Sequence, residues 1–516
     1  MSHSRRDFIK FVVAGSVAVG CPVDASLLAG EPSCAPGAVT DVRGEHFDVC
    51  HSLRDGKHYD RPDATKQAAI VIIGGGIAGL SAAYFLRETE FLLLEKEDDF
   101  GGNAYQEEFD GQPYATGSAF AWNDDEGDQL SRELGMILPP VNNSDPTIVS
   151  GTWVPDTWHS GIDQLPYPKN VRESFHKFRD AMLKIDVRKR MMALDTEIFS
   201  NYTAAFAPEI ALWWDAYGQS NWGATTAETS ALMGVSEMQG IGGAQEDPRK
   251  ILPGGLGCIS HKLVEVLMPK YKERLLSNAT VVAVVQDKDA VRVTYFRDGK
   301  LTTVSAKAVL MCAPKFIASR VVAGIPHEQM VAMRRIRYIP YPVVNIIFDK
   351  PVYNRGYDTW CPGNTFTDFV VADWTVRNLP SYRQKHNILT FYTALKMEQR
   401  STLLSEDDCK TLAARVLADF QKLLPEFNAT PREVRIYRRG HPMFMSVPGQ
   451  YTVNRITAAQ PMDRIYFGNA DSGGPESQTS EAIRLSRVGA EWVKMVLAGK
   501  PGAKELAQEA LTPLMD

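Results

Sequence analysis

The chain has 516 residues, with 56 Lys and Arg against 62 Asp and Glu for a formal net charge of -6, so nothing electrostatic points to nucleic acid or an anionic membrane as partner. With 44% apolar and 23% charged residues it is not a disordered chain. Ordinary usage of Gly (39) and Pro (30) excludes fibrous and low-complexity architectures, and seven Cys over this length do not make a disulfide scaffold.

Near the N-terminus, Ser4-Arg5-Arg6-Asp7-Phe8-Ile9-Lys10 precedes an apolar run from Phe11 to Gly20. Paired arginines ahead of a short apolar segment and small residues form an export address, and this one resembles the twin-arginine signal of bacterial proteins. The run is too short for a membrane span of about 20 residues, and no later stretch is long and uncharged enough to be one. Residues 1–30 are therefore read as the signal, and the folded protein is expected in the periplasm. Val23-Asp24-Ala25 is a loose cleavage site, and Ala18-Val19-Gly20-Cys21 a poor lipoprotein box. Residues 31–66 form an N-terminal segment, where an oxidising compartment would permit Cys34 and Cys50 to pair.

A β-branched run from Ala69 to Ile73 passes into Gly74-Gly75-Gly76-Ile77-Ala78-Gly79 and a predicted helix from Leu80 to Arg87. A second apolar run, Phe91 to Leu94, ends on Glu95 with Lys96 beside it. Strand, G-x-G-x-x-G, helix, strand and acid in this order form a dinucleotide-binding βαβ unit. Gly74 permits the tight turn, Gly76 lets backbone approach a pyrophosphate, and Gly79 lets the helix sit close to the strand. The helix N-terminus offers its N–H groups to phosphate, and Glu95 its carboxylate to ribose hydroxyls.

Further motifs extend this reading. Asp98-Asp99-Phe100-Gly101-Gly102-Asn103 resembles the second glycine pair of the flavin amine oxidase and phytoene desaturase superfamily, which runs along FAD; Asn103 stands where many amine oxidases carry Arg. Arg464-Ile465-Tyr466-Phe467-Gly468-Asn469-Ala470-Asp471-Ser472-Gly473-Gly474, followed by a predicted helix from Ser480 to Val496, resembles the closing FAD motif, with Asp471 as its acid. Leu252 to Gly257 is similar to the family's return into the FAD domain. In the strand Ala279 to Val284, Val281 matches the valine whose backbone pairs with adenine. The resemblance implies an α/β fold: a Rossmann-type FAD domain assembled from residues 67–124, 251–323 and 458–500, with an α+β substrate domain from residues 125–250 and 324–457. The first insertion is helical in pattern and carries Trp213-Trp214 and Trp222. The second holds the β runs Val343 to Phe348 and Asn387 to Tyr392.

Val42 to His46, Val49-Cys50-His51-Ser52-Leu53-Arg54-Asp55-Gly56, Asp98 to Asn103 and Asn469 to Gly474 together resemble bacterial spermidine dehydrogenase-like flavoproteins. Some of these contain haem b besides FAD, which makes His51 a conceivable haem ligand; no C-x-x-C-H motif is present for covalent attachment. Classical amine oxidases place a Lys in the strand corresponding to Tyr338 to Val343, and this chain has none there. His441 is the candidate proton acceptor or relay near the flavin. Tyr341, Trp360, Trp374 and Phe444 are candidate cavity walls able to hold an amine by cation–π contact, and Asp373 and Glu476 candidate anions for a distal ammonium. The expected activity is FAD-dependent oxidation of an amine, polyamines included, with electrons passing to oxygen or a periplasmic carrier. Desaturation of an apolar substrate and flavin/haem electron transfer are the alternatives.

Overall fold

The computed structural model describes residues 39–142, 145–243, 248–427 and 429–513; the export address, Cys21 and Cys34 lie outside them. Val39–Gly44 forms a first strand (β1), Asp48–Arg54 a short helix (α1) and Ala64–Ile73 a second strand (β2). The apolar run at 69–73 is thus the inner half of a longer strand. Ile70, Val71 and Ile72 have no exposed surface. Ile70 and Ile72 enter one apolar cluster, while Val71 and Ile73 enter another on the opposite face. A strand covered on both faces requires such an unbroken apolar run. The chain turns through the glycines into Ile77–Phe85 (α2) and returns as Phe91–Leu94 (β3), parallel to β2 with Ile70 opposite Phe91.

After the short helix Glu126–Glu133 the first insertion forms a hairpin, Thr147–Val149 (β4) and Thr152–Val154 (β5), that its helical pattern does not announce. Helices follow, among them Pro208–Trp222 (α3), started by its proline, and Ala231–Gly243 (α4). Trp213, Trp214 and Trp222 are all buried. With Trp158 and Tyr217 they form a chain of ring contacts 5.0–6.2 Å apart, which fixes the helices around one aromatic core.

The chain re-enters the first sheet through Gly257–Tyr271 (α5), Leu275–Leu276 (β6), Thr280–Gln286 (β7), Val291–Arg297 (β8) and Lys300–Met311 (β9), followed by Lys315–Val321 (α6). The second insertion supplies Val343–Phe348 (β10), Asp358–Trp360 (β11), Asp368–Val371 (β12), Asn387–Tyr392 (β13), Glu406–Leu423 (α7) and Glu433–Arg438 (β14). Ile465–Phe467 (β15) and Thr479–Leu497 (α8) close the site.

Two sheets organise these elements. One runs β6-β3-β2-β9-β8-β7 with β15 also on β9, so three separated pieces of chain build one sheet. The other runs β1-β14-β10-β13-β12-β11-β4-β5. Strands β10 and β13 coincide with the predicted runs residue for residue, and every residue of both is buried. The N-terminal segment joins the two sheets. Its strand β1 pairs in parallel with β14 at the edge of the second sheet; Glu45 then accepts a hydrogen bond from the Gly440 N–H at 2.9 Å, and the His46 N–H donates to the Glu97 carboxylate at 3.0 Å.

Candidate active site

The cradle at the start of α2 is shaped by close backbone approach. A Cβ on Gly79 would stand 1.8 Å from the Gly74 carbonyl oxygen, so only glycine lets the helix sit there. Gly102 has a φ of +58°, and a Cβ on it would lie 2.9 Å from the Gly76 Cα, so the two glycine loops touch where a pyrophosphate must pass. The first-turn N–H groups of α2 lack intrahelical partners and face this gap. Helix α8 packs against α2, with the Ser486 hydroxyl donating to the Ala78 carbonyl at 2.7 Å.

Glu95 is buried at the end of β3, with its carboxylate accepting from the N–H groups of Gly75 at 2.5 Å and Glu97 at 2.8 Å. Burial pushes its pKa up, while the Lys96 charge and the backbone N–H groups of Gly75 and Lys96 oppose the shift. The Lys96 ammonium bonds Glu97 and the His46 carbonyl. Val281 is buried on β7, and a bulge directly after it leaves Val282 out of register with β8. Backbone at this point of the strand is therefore released from the ladder, as an adenine contact requires. Glycine cradle, ribose acid and freed strand backbone together fit an FAD.

Asp471 sits in a network that the sequence reading missed. Its carboxylate accepts from the Lys315 N–H and Nζ, both at 2.7 Å, and from the Tyr338 hydroxyl at 2.6 Å. Lys315 is 0% exposed and Asp471 1%. The closing motif is thereby clamped to the end of β9, across 156 residues of sequence. Arg439 plays a similar part at the second glycine pair. Its guanidinium donates to the carbonyls of Gly102 at 2.8 Å and Thr116 at 3.2 Å and to the Asn103 side-chain oxygen at 3.3 Å, while the Asn103 amide donates to the Pro442 carbonyl at 2.7 Å. A guanidinium does reach the corner where Asn103 replaces the family's arginine, but it comes from the second insertion.

Beside this corner lies a cavity of about 180 Å³, walled by β10 to β13, by α4 and by the N-terminal turn of α8. Tyr341, Trp360 and Tyr392 supply aromatic faces, with the Tyr341 hydroxyl bonded to Ser220 at 2.7 Å and the Trp360 ring tilted against that of Tyr217 at 4.5 Å. Five carboxyl side chains line it: Asp125, Glu237, Asp358, Asp368 and Glu476. Among the described residues no lysine lines it, and Arg439 is its guanidinium. Burial pushes Asp368 up to about 7, although hydroxyl donors on Thr367 and Ser220 pull the other way. Asp358 faces the Arg249 guanidinium at 3.6 Å, and Arg249 also bridges to Asp145 at 2.5 Å.

Of the residues singled out from sequence, Tyr341, Trp360 and Glu476 are brought together in the cavity. His441 and Phe444 are not among its lining residues: the His441 ring packs tilted against Phe316 at 4.6 Å, and Phe444 is buried in the apolar cluster of the first sheet. Burial and the Arg400 charge hold the His441 imidazole down at about 4, so it is neutral at neutral pH. Asp373 is buried outside the cavity lining, accepting from Tyr382 at 3.1 Å and Gln384 at 2.9 Å; Trp374 donates to the Val141 carbonyl at 3.3 Å. His51 lies on α1 with its ring 4.8 Å from that of Phe47. Among the described residues no group of three or more His, Cys, Asp or Glu is placed to hold a metal ion, and no helix is long and apolar enough to cross a membrane. Cys50 carries a free thiol. Glu237 was not singled out from sequence, although a lone carboxylate in the apolar stretch Ala231 to Gly243 was a usable signal.

Residues 77–486 match the family model of the flavin containing amine oxidoreductases. The fold is similar to that of cyclohexylamine oxidase from Brevibacterium oxydans IH-35A, with a TM-score of 0.65 and 15% identity over 85% of this chain and 99% of that one. It is also similar to wild-type putrescine oxidase bound to putrescine, with a TM-score of 0.62 and 16% identity over 82% of this chain and 98% of that one. Over 240 residues the chain is 23% identical to the oxidoreductase PigB of Serratia sp. (strain ATCC 39006); the match takes in 43% of this chain and only 35% of that protein.

Proposed function

This chain belongs to the flavin-containing amine oxidoreductase family, and we propose that it oxidises a cationic amine at the carbon beside nitrogen, in the cavity between the second sheet and α8. The observation that carries this reading is the lining itself: five carboxyl groups, one guanidinium and a set of aromatic faces. An ammonium is the ligand that offsets so many buried acids, and each aromatic face adds about 0.5–2 kcal/mol of cation–π attraction. An apolar alkene would instead offer no positive charge to Glu237, Asp368 and Glu476, which argues against desaturation.

FAD, when bound in the glycine cradle, supplies the acceptor for the hydride. The residues of the chain do the rest. Glu95 and the first turn of α2 anchor the dinucleotide, Arg439 and Asn103 hold the second glycine pair against it, and Tyr341 and Trp360 wall the reacting carbon from water. The resulting imine is hydrolysed to aldehyde and amine, and the electrons leave to oxygen or to a periplasmic carrier. We also infer export of the folded protein by the twin-arginine route, on the strength of Arg5-Arg6 and the apolar run behind them.

The test is anaerobic mixing of the yellow holoprotein with a panel of mono-, di- and polyamines and with an apolar alkene precursor. Bleaching of the flavin by an amine supports the reading; bleaching by the alkene alone overturns it.

A further inference from the structure

The cavity presents an amine oxidation with a difficulty: an ammonium must lose a proton before its carbon can give up a hydride, and no lysine lines the site among the described residues. His441 lies outside the lining. We propose that Glu237 and Glu476, two carboxyl groups facing one cavity, supply the base that takes the proton from the substrate ammonium. The proposal rests on the amine reading above and adds to it the group that makes the amine reactive.

The pair is assembled from distant parts of the chain. Glu237 comes from α4 in the first insertion, and Glu476 from the loop that leads into α8. Both line the cavity, and Glu476 is only 8% exposed. Their hydrogen-bond partners are neutral: the Tyr217 hydroxyl at 3.0 Å for Glu237, and the Gln478 side-chain amide for Glu476. The other acid pair of the cavity is placed differently, because Asp358 faces the Arg249 guanidinium at 3.6 Å.

The groups facing the Glu pair come from several elements. The acids Asp125, Asp358 and Asp368 line the same cavity and disfavour a further negative charge, whereas the Tyr217 hydroxyl on α3 donates to Glu237 and favours its ionised form. Arg439 is the cation of the lining, and its guanidinium is spent on Gly102, Thr116 and Asn103. Carboxyl groups crowded into one cavity do not all ionise, so Glu237 and Glu476 retain a proton in total at neutral pH. Burial pushes Glu237 up to about 7, and burial together with the Glu237 charge pushes Glu476 up.

The step balances without an oxidant. An N–H bond of the ammonium breaks with its electron pair left on nitrogen, and the proton forms an O–H bond on the ionised member of the pair. Positive substrate and negative carboxylate disappear together, which a low-dielectric cavity favours. The amine is then neutral, with the lone pair that hydride loss from its carbon requires, and the pair returns its proton to water when product leaves.

The experiment is stopped-flow reduction of the holoprotein by an alkylamine across pH, for the wild type, Glu237→Gln, Glu476→Gln and the double variant, with flavin content and visible spectrum as the check on folding. In the wild type the rate should fall on the acid side near pH 7. Each single variant keeps one carboxyl and should keep an acid limb well below the amine's own pKa, because the first ionisation of the two takes place with the neighbour protonated and uncharged. The double variant should move it up toward the amine's own pKa of about 10, with a roughly thousand-fold slower reduction at neutral pH, where about one alkylamine in a thousand is neutral. In the substrate-free holoprotein, the infrared band of protonated carboxyl at neutral pH should weaken in the double variant. A double variant that binds flavin and keeps the wild-type profile overturns the proposal and leaves the amine reading standing. Failure of every amine to bleach the wild-type flavin overturns both.

Discussion

Lys315→Met isolates the buried ion pair behind the closing motif. The substitution keeps the length of the side-chain stem and removes its ammonium, so it reports on charge more than on a cavity. Asp471 then retains the Lys315 N–H at 2.7 Å and the Tyr338 hydroxyl at 2.6 Å as neutral donors. Removing one partner of a buried pair costs about 3–5 kcal/mol, because the other charge stays out of water. Two retained donors, worth about 1.5 kcal/mol or more each when the acceptor is ionised, put the expected loss at the low end, about 3 kcal/mol. The assay is urea unfolding at saturating FAD, followed by tryptophan fluorescence, on Lys315→Met, Asp471→Asn and the double variant. The double variant, with no charge left buried, should be more stable than the sum of the single losses by about 1 kcal/mol or more. If Lys315→Met unfolds within about 0.5 kcal/mol of the wild type, a level typical of surface substitutions, the clamp carries no weight.

Two further outcomes follow from the geometry. Gly102→Val should strip flavin from the purified protein, because its φ of +58° disfavours a β-branched side chain and its Cβ would stand 2.9 Å from Gly76; a full flavin-to-protein absorbance ratio would contradict this. His441 has a native pKa lowered to about 4, below the ordinary value of about 6.5, so protons bind the unfolded chain more readily. Its contribution is intact above pH 6.5 and is lost as pH falls toward 4, by about 3 kcal/mol in full. His441→Asn should therefore flatten the decline of thermal stability between about pH 6.5 and about pH 4, and an unchanged slope would refute the assignment.

The cofactor half was legible because its chemistry is local. The turn from Gly74 to Gly79 and the acid 20 residues beyond Gly75 follow from one βαβ unit, and β10 and β13 from largely apolar, β-branched and aromatic runs. The partners that complete the site are not local. Asp471 meets Lys315 across 156 residues and Arg439 meets Gly102 across 337, and no periodicity records such pairs. The same limit explains His441 and Phe444, whose neighbours Pro442 and Met443 do line the cavity. Which residues of this segment face the site is set by its tertiary placement, which the sequence does not record. The hairpin of β4 and β5 was hidden for a related reason: three-residue strands are too short to show a period.

The central claim is that the cavity selects and oxidises a cationic amine. It is tested most directly by mixing the anaerobic holoprotein with an alkylamine and, separately, with the alcohol of the same carbon skeleton. The account predicts that the amine bleaches the flavin and the neutral alcohol leaves it yellow. Equal bleaching by the alcohol, or a flavin that stays yellow with the amine, would contradict it.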